Sequence, residues 1–507
     1  MSRRSALEKR FAPWCRGLLA FCLMLIATTA QALEGHELRL WGRSTAADYR
    51  VALSADEQQW LQQRGTLRLG VTVPDYPPFE IVSNERDFDG LTADYARLLG
   101  ELLKLPVQVR VFERRADAMA ALKRHDIDLL GTANDFEVQD PHFVLSLPYA
   151  RDQSVLVTRI GEALDSDTQL ADLRIAMTYD YLGSTQVQQA FPLAHLKVYP
   201  SASEAMGAVA FGQADVFLGD ALVANYLANR TYLDSLQLTR FAGLDSQGFA
   251  FALSRDETRL LALVNRALRA IPAAEQMAIS QRWSAEKVSL SDSSLRLSPA
   301  EKRWIDQHRT VRVIADGSFM PFTFFGEDGR LRGISADVLE KVSQRTGLNF
   351  EYVPGGSVAH MAAEVEQGRA DLIPAITLSA EREQNLLFTR PYYMNTFVLV
   401  TRAKAGQAVT GLDDLAGRRL ALVKGDSLGG YLERHYPHIQ IIDAESAADA
   451  LAMLDSGKVD GAVSMLISAR YLISWKYQGR MVVSSTVGIS PAQLAFATGR
   501  ESTRLNL

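Results

Sequence analysis

Cysteine is almost missing from this chain, and what there is lies at one end. Of 507 residues only Cys15 and Cys22 are cysteine. Everything after them must fold without disulfides, held by burial alone. An excess of charge is missing too: the net charge is −5, with 22% charged residues. That balance argues against nucleic acid or an anionic membrane surface as a partner. Beyond the N-terminal segment there is no apolar run of the roughly 18 residues that a membrane span needs. No His-Glu-x-x-His and no Walker sequence occurs, and His435 and His438 have no second pair that would make a metal site. Nothing demands a catalytic reading, a cofactor or a metal. Hydrophobic residues make up 47% of the chain, the proportion of a globular protein able to bury a sizeable core.

Residues 1–32 have the order of a secretory signal. Arg3, Arg4, Lys9, Arg10 and Arg16 precede the apolar run from Gly17 to Ala27, and Ala30-Gln31-Ala32 offers small residues for cleavage before Leu33. An uncleaved membrane anchor is the competing reading. Bulky Phe21 before Cys22 speaks against a lipoprotein site. Residues 33–53 form a lead-in without a legible role.

The rest of the chain repeats itself at an interval of about 243 residues, too long for a solenoid unit and right for a duplicated domain. Gly90-Leu91-Thr92-Ala93-Asp94 returns as Gly333-Ile334-Ser335-Ala336-Asp337, and Pro78-Phe79 as Pro321-Phe322. Pro148-Tyr149 returns as Pro391-Tyr392, and Gly212-Gln213-Ala214-Asp215 as Gly457-Lys458-Val459-Asp460. Each copy opens with a capping box, Ser54 with Glu57 and Ser298 with Glu301. Strand and helix patterns then alternate, which predicts βαβ units around mainly parallel sheets. The boundaries expected are 54–283 for the first copy, 284–297 for a linker rich in Ser, Asp and Lys, and 298–507 for the second. The counterpart of Trp283 falls roughly 21 residues past Leu507, so the second copy is expected to lack an amphipathic closing helix. On that reading the natural product is longer, or the chain is truncated.

Tyr76-Pro77-Pro78-Phe79, Gly90 to Asp94, Ser146-x-Pro148-Tyr149 and the Gly-x-x-Asp of Gly212 to Asp215 together resemble family 3 bacterial extracellular solute-binding proteins. The resemblance covers both copies. It implies an α/β fold of two tandem bilobal, periplasmic-binding-protein-like (Venus flytrap) domains that close on small molecules. Tandem flytraps behind one signal resemble the periplasmic part of BvgS/EvgS-type hybrid sensor histidine kinases. That kinship implies a periplasmic sensing module whose full-length parent is a membrane-anchored homodimer. Kinase chemistry itself has no place in this sequence.

In amino-acid-binding members of the family an Arg, nine residues before the Pro of Ser-x-Pro-Tyr, grips the ligand carboxylate through its fork of parallel donors. In the second copy this position is Arg382, with Thr377 as the assisting hydroxyl, Phe319 as the aromatic face and Ser427 at a helix start. In the first copy the corresponding residues are Gln139, Asn134 and Tyr76. An Asp that pairs with the ligand ammonium is matched by Asp220 in the first copy and by Met465 in the second. The copies have thus lost opposite halves of the site, and a zwitterion buried in either would leave one charge unpaired. The second copy therefore suits a small carboxylate without an α-ammonium, and the first a cationic or neutral ligand or none. Two other readings stay open: a solute receptor for an ABC permease, and a flytrap-fold enzyme such as a dehydratase.

Overall fold

The computed structural model describes residues 37–502 and 505, apart from 84–85, 136–138, 163, 165–169, 180, 233–234, 245–247, 285–297, 327, 380, 404–408, 427 and 490. The expected signal segment and nearly all of the expected linker lie outside the described residues.

Each copy opens as its capping box requires. Ser54 Oγ accepts from the Glu57 amide at 3.2 Å while Glu57 Oε2 accepts from the Ser54 amide at 2.8 Å, starting the helix Ala55–Arg64. Ser298 and Glu301 do the same for Pro299–Gln307, where a proline in the first turn adds a preset φ.

The first copy builds two sheets. The larger has eight strands in the order Ile81–Ser83, Asp87–Asp89, Glu37–Leu40, Val107–Phe112, Leu67–Thr72, Leu129–Ala133, Ala250–Ser254, Phe143–Leu145. Leu67–Thr72 pairs in parallel with both neighbours, as the strand–helix alternation predicts. The smaller sheet has five strands: His195–Tyr199, Arg174–Thr178, Val216–Asp220, Ser154–Arg159 and Leu236–Phe241. The chain crosses to this second lobe after Tyr149 and returns for Ala250–Ser254, giving a bilobal unit with a cleft between the sheets.

The second copy repeats the plan. Its first lobe orders Asn349–Pro354, Thr310–Ala315, Leu372–Thr377, Ala492–Gly499 and Leu386–Phe388, and Tyr393–Asn395 also pairs with Ala492–Gly499. Its second lobe orders Gln440–Ala444, Arg419–Val423, Gly461–Met465, Phe397–Arg402 and Met481–Thr486, the same topology as its counterpart. The fold is therefore two tandem α/β flytraps. Among the described residues no helix is long and apolar enough to cross a membrane.

The repeated motifs turn out to hold the lobes together. Asp215 takes the Arg174 amide at 2.9 Å and its guanidinium at 2.7 and 2.9 Å, while Gly212 O accepts from the same side chain at 3.1 Å. Arg312 with Asp371 and Gly368, and Arg419 with Asp460 and Gly457, make the same clasp between a strand start and the turn before its neighbour. Gly90 and Gly333 sit at φ +117° and +109°, a region open almost only to glycine. A Cβ there would lie 2.3 Å from Phe79 O and 2.5 Å from Phe322 O. The following amides donate back to that turn: Leu91 to Pro78 O and Thr92 to Phe79 O, with Ile334 to Pro321 O and Ser335 to Phe322 O in the second copy.

One difference between the copies is large. Asp94 is fully buried in the first, where Oδ1 accepts from the Arg43 and Ser44 amides. Its Oδ2 accepts from Arg282 Nη1 at 2.6 Å and from Trp283 Nε1 at 2.8 Å. This carboxylate ties the helix Ala273–Trp283 and the lead-in to the helix Leu91–Leu103. Asp337, its repeat partner, is exposed. The lead-in also gains a role that the sequence left blank. Glu37–Leu40 inserts as a strand, antiparallel to Val107–Phe112 and parallel to Asp87–Asp89.

Candidate functional site

The first cleft encloses a cavity of about 560 Å³, within the size range of small-molecule sites. Asp75, Tyr76, Glu80, Asn134, Tyr181 and Phe249 contribute to its wall, drawn from both lobes. Tyr76 stacks on Phe79 at 6.0 Å between ring centroids and meets Phe249 edge-on at 6.2 Å. Glu80 is buried and accepts from Thr132 Oγ1 at 2.7 Å.

Asn134 follows the strand Leu129–Ala133 of the first lobe, and its Nδ2 donates across the cleft to Tyr181 O at 2.8 Å. Tyr181 in turn donates its hydroxyl to Asp152 Oδ1 at 2.8 Å. Burial, with the nearby charges of Asp152 and Asp220, pushes the phenols of Tyr181 and Tyr76 well above their ordinary range. Both therefore stay neutral.

Asp220 ends the strand Val216–Asp220 and caps the helix Ala221–Arg230. Its Oδ1 accepts from the amides of Leu222 at 2.8 Å and Val223 at 3.1 Å, and its Oδ2 from that of Gln153 at 3.2 Å. Its carboxyl thus serves backbone donors, the structural role that an acid at this strand end often takes. Gln139 is exposed, and it does not belong to the cavity wall. Of the first-copy candidates, Tyr76 and Asn134 are brought together at the cavity, while Asp220 and Gln139 are not part of that wall.

Burial, and secondarily the Asp152 charge, push Asp220 up from about 3.8 to about 7. The folded chain then holds a proton that the unfolded chain has already released between these values. This contribution to stability is full below the unfolded value and is lost as pH rises through about 7. The lowered acids Asp128 and Asp215 act only at more acid pH. We therefore expect the first copy to lose on the order of 2 kcal/mol between pH 5 and 8 through this carboxyl. Melting curves across that range should flatten in Asp220→Asn, and an unchanged slope would remove Asp220 as the cause.

The second cleft is bridged differently. Arg382 begins the short turn Arg382–Gln384, and its Nη1 donates to both Thr377 O and Thr377 Oγ1 at 2.7 Å. Its Nη2 crosses to the second lobe and donates to Gly425 O at 2.8 Å. Burial lowers the guanidinium pKa, while Asp426 and Glu381 oppose that shift. Met465 is buried in an apolar cluster spanning both lobes, with Phe322 from the first lobe, Val463 from the second, and Phe319 packed against it. Phe319 also meets Phe322 at 5.0 Å between centroids. Arg382 and Thr377 are thus in direct contact, and Phe319 packs on the apolar cluster that holds Met465. Ser427 lies outside the described residues. Gly425 to Gly429 also spell Gly-x-Ser-x-Gly, but that pattern is a hydrolase elbow only where a histidine and an acid converge on the serine.

The two bridges share a logic that the sequence did not reveal. Each runs from a first-lobe side chain to a backbone carbonyl in the corresponding loop of the second lobe. Asp152 and the Gly425 carbonyl were missed because their part depends on which atoms face the cleft, whereas the bulk of Tyr181 at its motif position was a signal legible in the sequence.

The family described as bacterial extracellular solute-binding proteins, family 3, matches residues 67–286 and 311–428. The virulence sensor protein BvgS of Bordetella parapertussis is 36% identical over 487 residues, covering 96% of this chain and 39% of that protein. The sensor protein EvgS of Escherichia coli K12 is 25% identical over 460 residues, covering 89% of this chain and 38% of that protein. The chain thus spans about two fifths of the length of these relatives. The crystal structure of the Bordetella pertussis BvgS periplasmic domain shares 36% identity over 93% of this chain and 92% of that one, with a TM-score of 0.46.

Proposed function

Because this chain belongs to the family 3 bacterial extracellular solute-binding proteins, we propose that it is the periplasmic ligand-sensing part of a membrane-anchored two-component sensor kinase. Small molecules would act by shifting the balance between open and closed clefts. The observation that carries this reading is the pair of cross-cleft bridges, Asn134 to Tyr181 O and Arg382 to Gly425 O. A receptor that hands solute to a transporter must release it readily. A sensor needs instead a closed state of defined stability that a ligand can bias, and a side chain already bridging the lobes supplies one. The two sensory units are 54–283 and 298–507, joined by 284–297, behind a secretory signal at 1–32.

In the second unit the ligand class is a small carboxylate without an α-ammonium. Arg382 supplies a planar fork of donors, and buried Met465 stands where an ammonium partner would be needed. A carboxylate reaching Arg382 would replace the Gly425 carbonyl with a charged acceptor. Calorimetry on the full chain should therefore find simple carboxylates such as acetate, benzoate or succinate binding at least about tenfold more tightly than glycine or alanine. Tighter binding of the zwitterions would sink the assignment.

A further inference from the structure

The two flytraps are not strung side by side. Their second lobes are in direct apolar contact: a hydrophobic cluster that also takes in the first lobe of the first copy runs on from Met206, Val209 and Tyr232 to Leu454, Tyr477 and Met481 of the second copy. The helix Ala202–Ala210 packs on the strand Met481–Thr486. Gly207 lies so close that a Cβ there would meet Thr486 Cγ2 at 2.7 Å. Gln213 Nε2 donates to Thr410 O at 2.9 Å and to Ser484 O at 2.8 Å, and Arg470 reaches Ser235. Apolar packing at interior density transmits displacement instead of absorbing it.

The first lobes meet through a few polar and cation–ring contacts beside a cavity of about 1230 Å³ that both of them line, with Trp41 and Arg86 on one side and Phe388 and Arg390 on the other. Arg86 and Glu383 pair at 3.4 Å with Arg86 more than half exposed, and Arg390 lies over the Trp41 ring at 5.2 Å. Gln493 Nε2 reaches Val82 O at 3.5 Å. The four lobes therefore form a closed ring with two hinges, one joint between the second lobes and one seam between the first, braced near the second hinge where the Tyr226 hydroxyl meets Met394 Sδ at 3.3 Å. If one hinge turns, either the other hinge must turn or the seam must slip.

We propose that the two clefts are mechanically coupled: the fused second lobes move as one body, and the Trp41–Arg390 and Arg86–Glu383 seam determines how much opening in one cleft is passed to the other. This rests on reading the clefts as the moving parts of a sensor and adds how they communicate. An ion pair with one exposed partner is weak, so the seam can slip when forced, and coupling is graded rather than absolute. The lead-in strand Glu37–Leu40 acquires a purpose here, since it places Trp41 at the seam. Coupling between sites is reciprocal, so a ligand in either cleft would bias the other by the same factor.

The test needs no ligand. With Cys15 and Cys22 replaced by serine, spin labels at Lys123→Cys and Gln189→Cys report the first cleft in one sample, and labels at Glu366→Cys and His435→Cys report the second in another. All four positions are exposed. Asn134→Ala removes the bridge to Tyr181 and should increase the open population in both clefts, by fivefold or more in the first. Arg382→Ala is the reciprocal variant, should the first leave its own cleft shut. Adding Trp41→Ala and Arg86→Glu should cut the transmitted response at least threefold while leaving the local one intact. Arg86→Glu with Glu383→Arg, on the Trp41 background, should recover part of it. Opening confined to the cleft that was mutated overturns the proposal, and so does transmission indifferent to the seam, or failure of both bridge variants to move either cleft. Calorimetric binding of carboxylates by the unlabelled chain tests the sensory reading separately, so coupling can fail with binding intact.

Discussion

Asp94→Ala should destabilise the first flytrap by about 3–5 kcal/mol, the usual cost of removing one partner from a buried, charged hydrogen-bond network, whereas Asp337→Ala should change the second by less than about 0.5 kcal/mol. The two residues hold the same place in the repeat, and the surroundings alone separate them. Asp94 is fully buried and gathers two backbone amides, the Arg282 guanidinium and the Trp283 indole. Alanine would strand all four donors, and the guanidinium is the most costly to leave unpaired. Asp337 is exposed and can lose its carboxylate to solvent at little cost. A chain with several lobes does not unfold in two states, so the readout should be local. Hydrogen exchange in the helices Thr258–Ala270 and Ala273–Trp283 should accelerate by two to three orders of magnitude in Asp94→Ala, as roughly 1.4 kcal/mol per decade implies. Equal acceleration in both variants would show that the Asp94 network is not what secures those helices.

Arg382→Ala should weaken carboxylate binding by the full chain by about 2–5 kcal/mol, effectively abolishing it for ligands of millimolar affinity. The side chain has two tasks in this geometry. It is braced on the first lobe by two bonds from Nη1 to Thr377, and it offers Nη2 to the second lobe at Gly425 O. Lysine could supply charge but not the braced planar fork, so Arg382→Lys should recover only part of the affinity. Thr377→Val should cost less, because Thr377 O still receives Nη1. Wild-type affinity in Arg382→Ala would remove the carboxylate reading of the second cleft. Intact affinity in Arg382→Lys would reduce the role of the fork to that of a point charge.

Much of the architecture was legible because the motifs that repeat are covalently local. Capping boxes need only a Ser and a Glu three residues on, and Gly90 and Gly333 declare a backbone that other residues cannot adopt. The Gly-x-x-Asp turns read as a recurring signature for a related reason: the turn and its carboxylate lie within four residues, although the strand that they clasp starts 41 or 59 residues earlier. Candidate cleft residues were partly legible for the same reason. Arg382 and Thr377 sit five residues apart and meet directly. Asp220 shows the limit: at its strand end the cap to Leu222 and Val223 is as local as any ligand role, and only coordinates show which donors it serves.

The sequence by itself determined the duplication, the two α/β flytraps and the absence of stabilising disulfides past Cys22. These follow from order and spacing along one dimension. Tertiary structure alone decided that the lead-in is a strand, that Asp94 is buried while Asp337 is not, that Asn134 and Arg382 each reach across a cleft, and that the second lobes share a core. Each of those depends on residues far apart in the chain, such as Asp94 with Trp283, Gly207 with Thr486, or Trp41 with Arg390. No local propensity encodes such pairs. Long-range packing brings them together once the apolar faces have been buried, and burial then fixes which polar groups must find a partner.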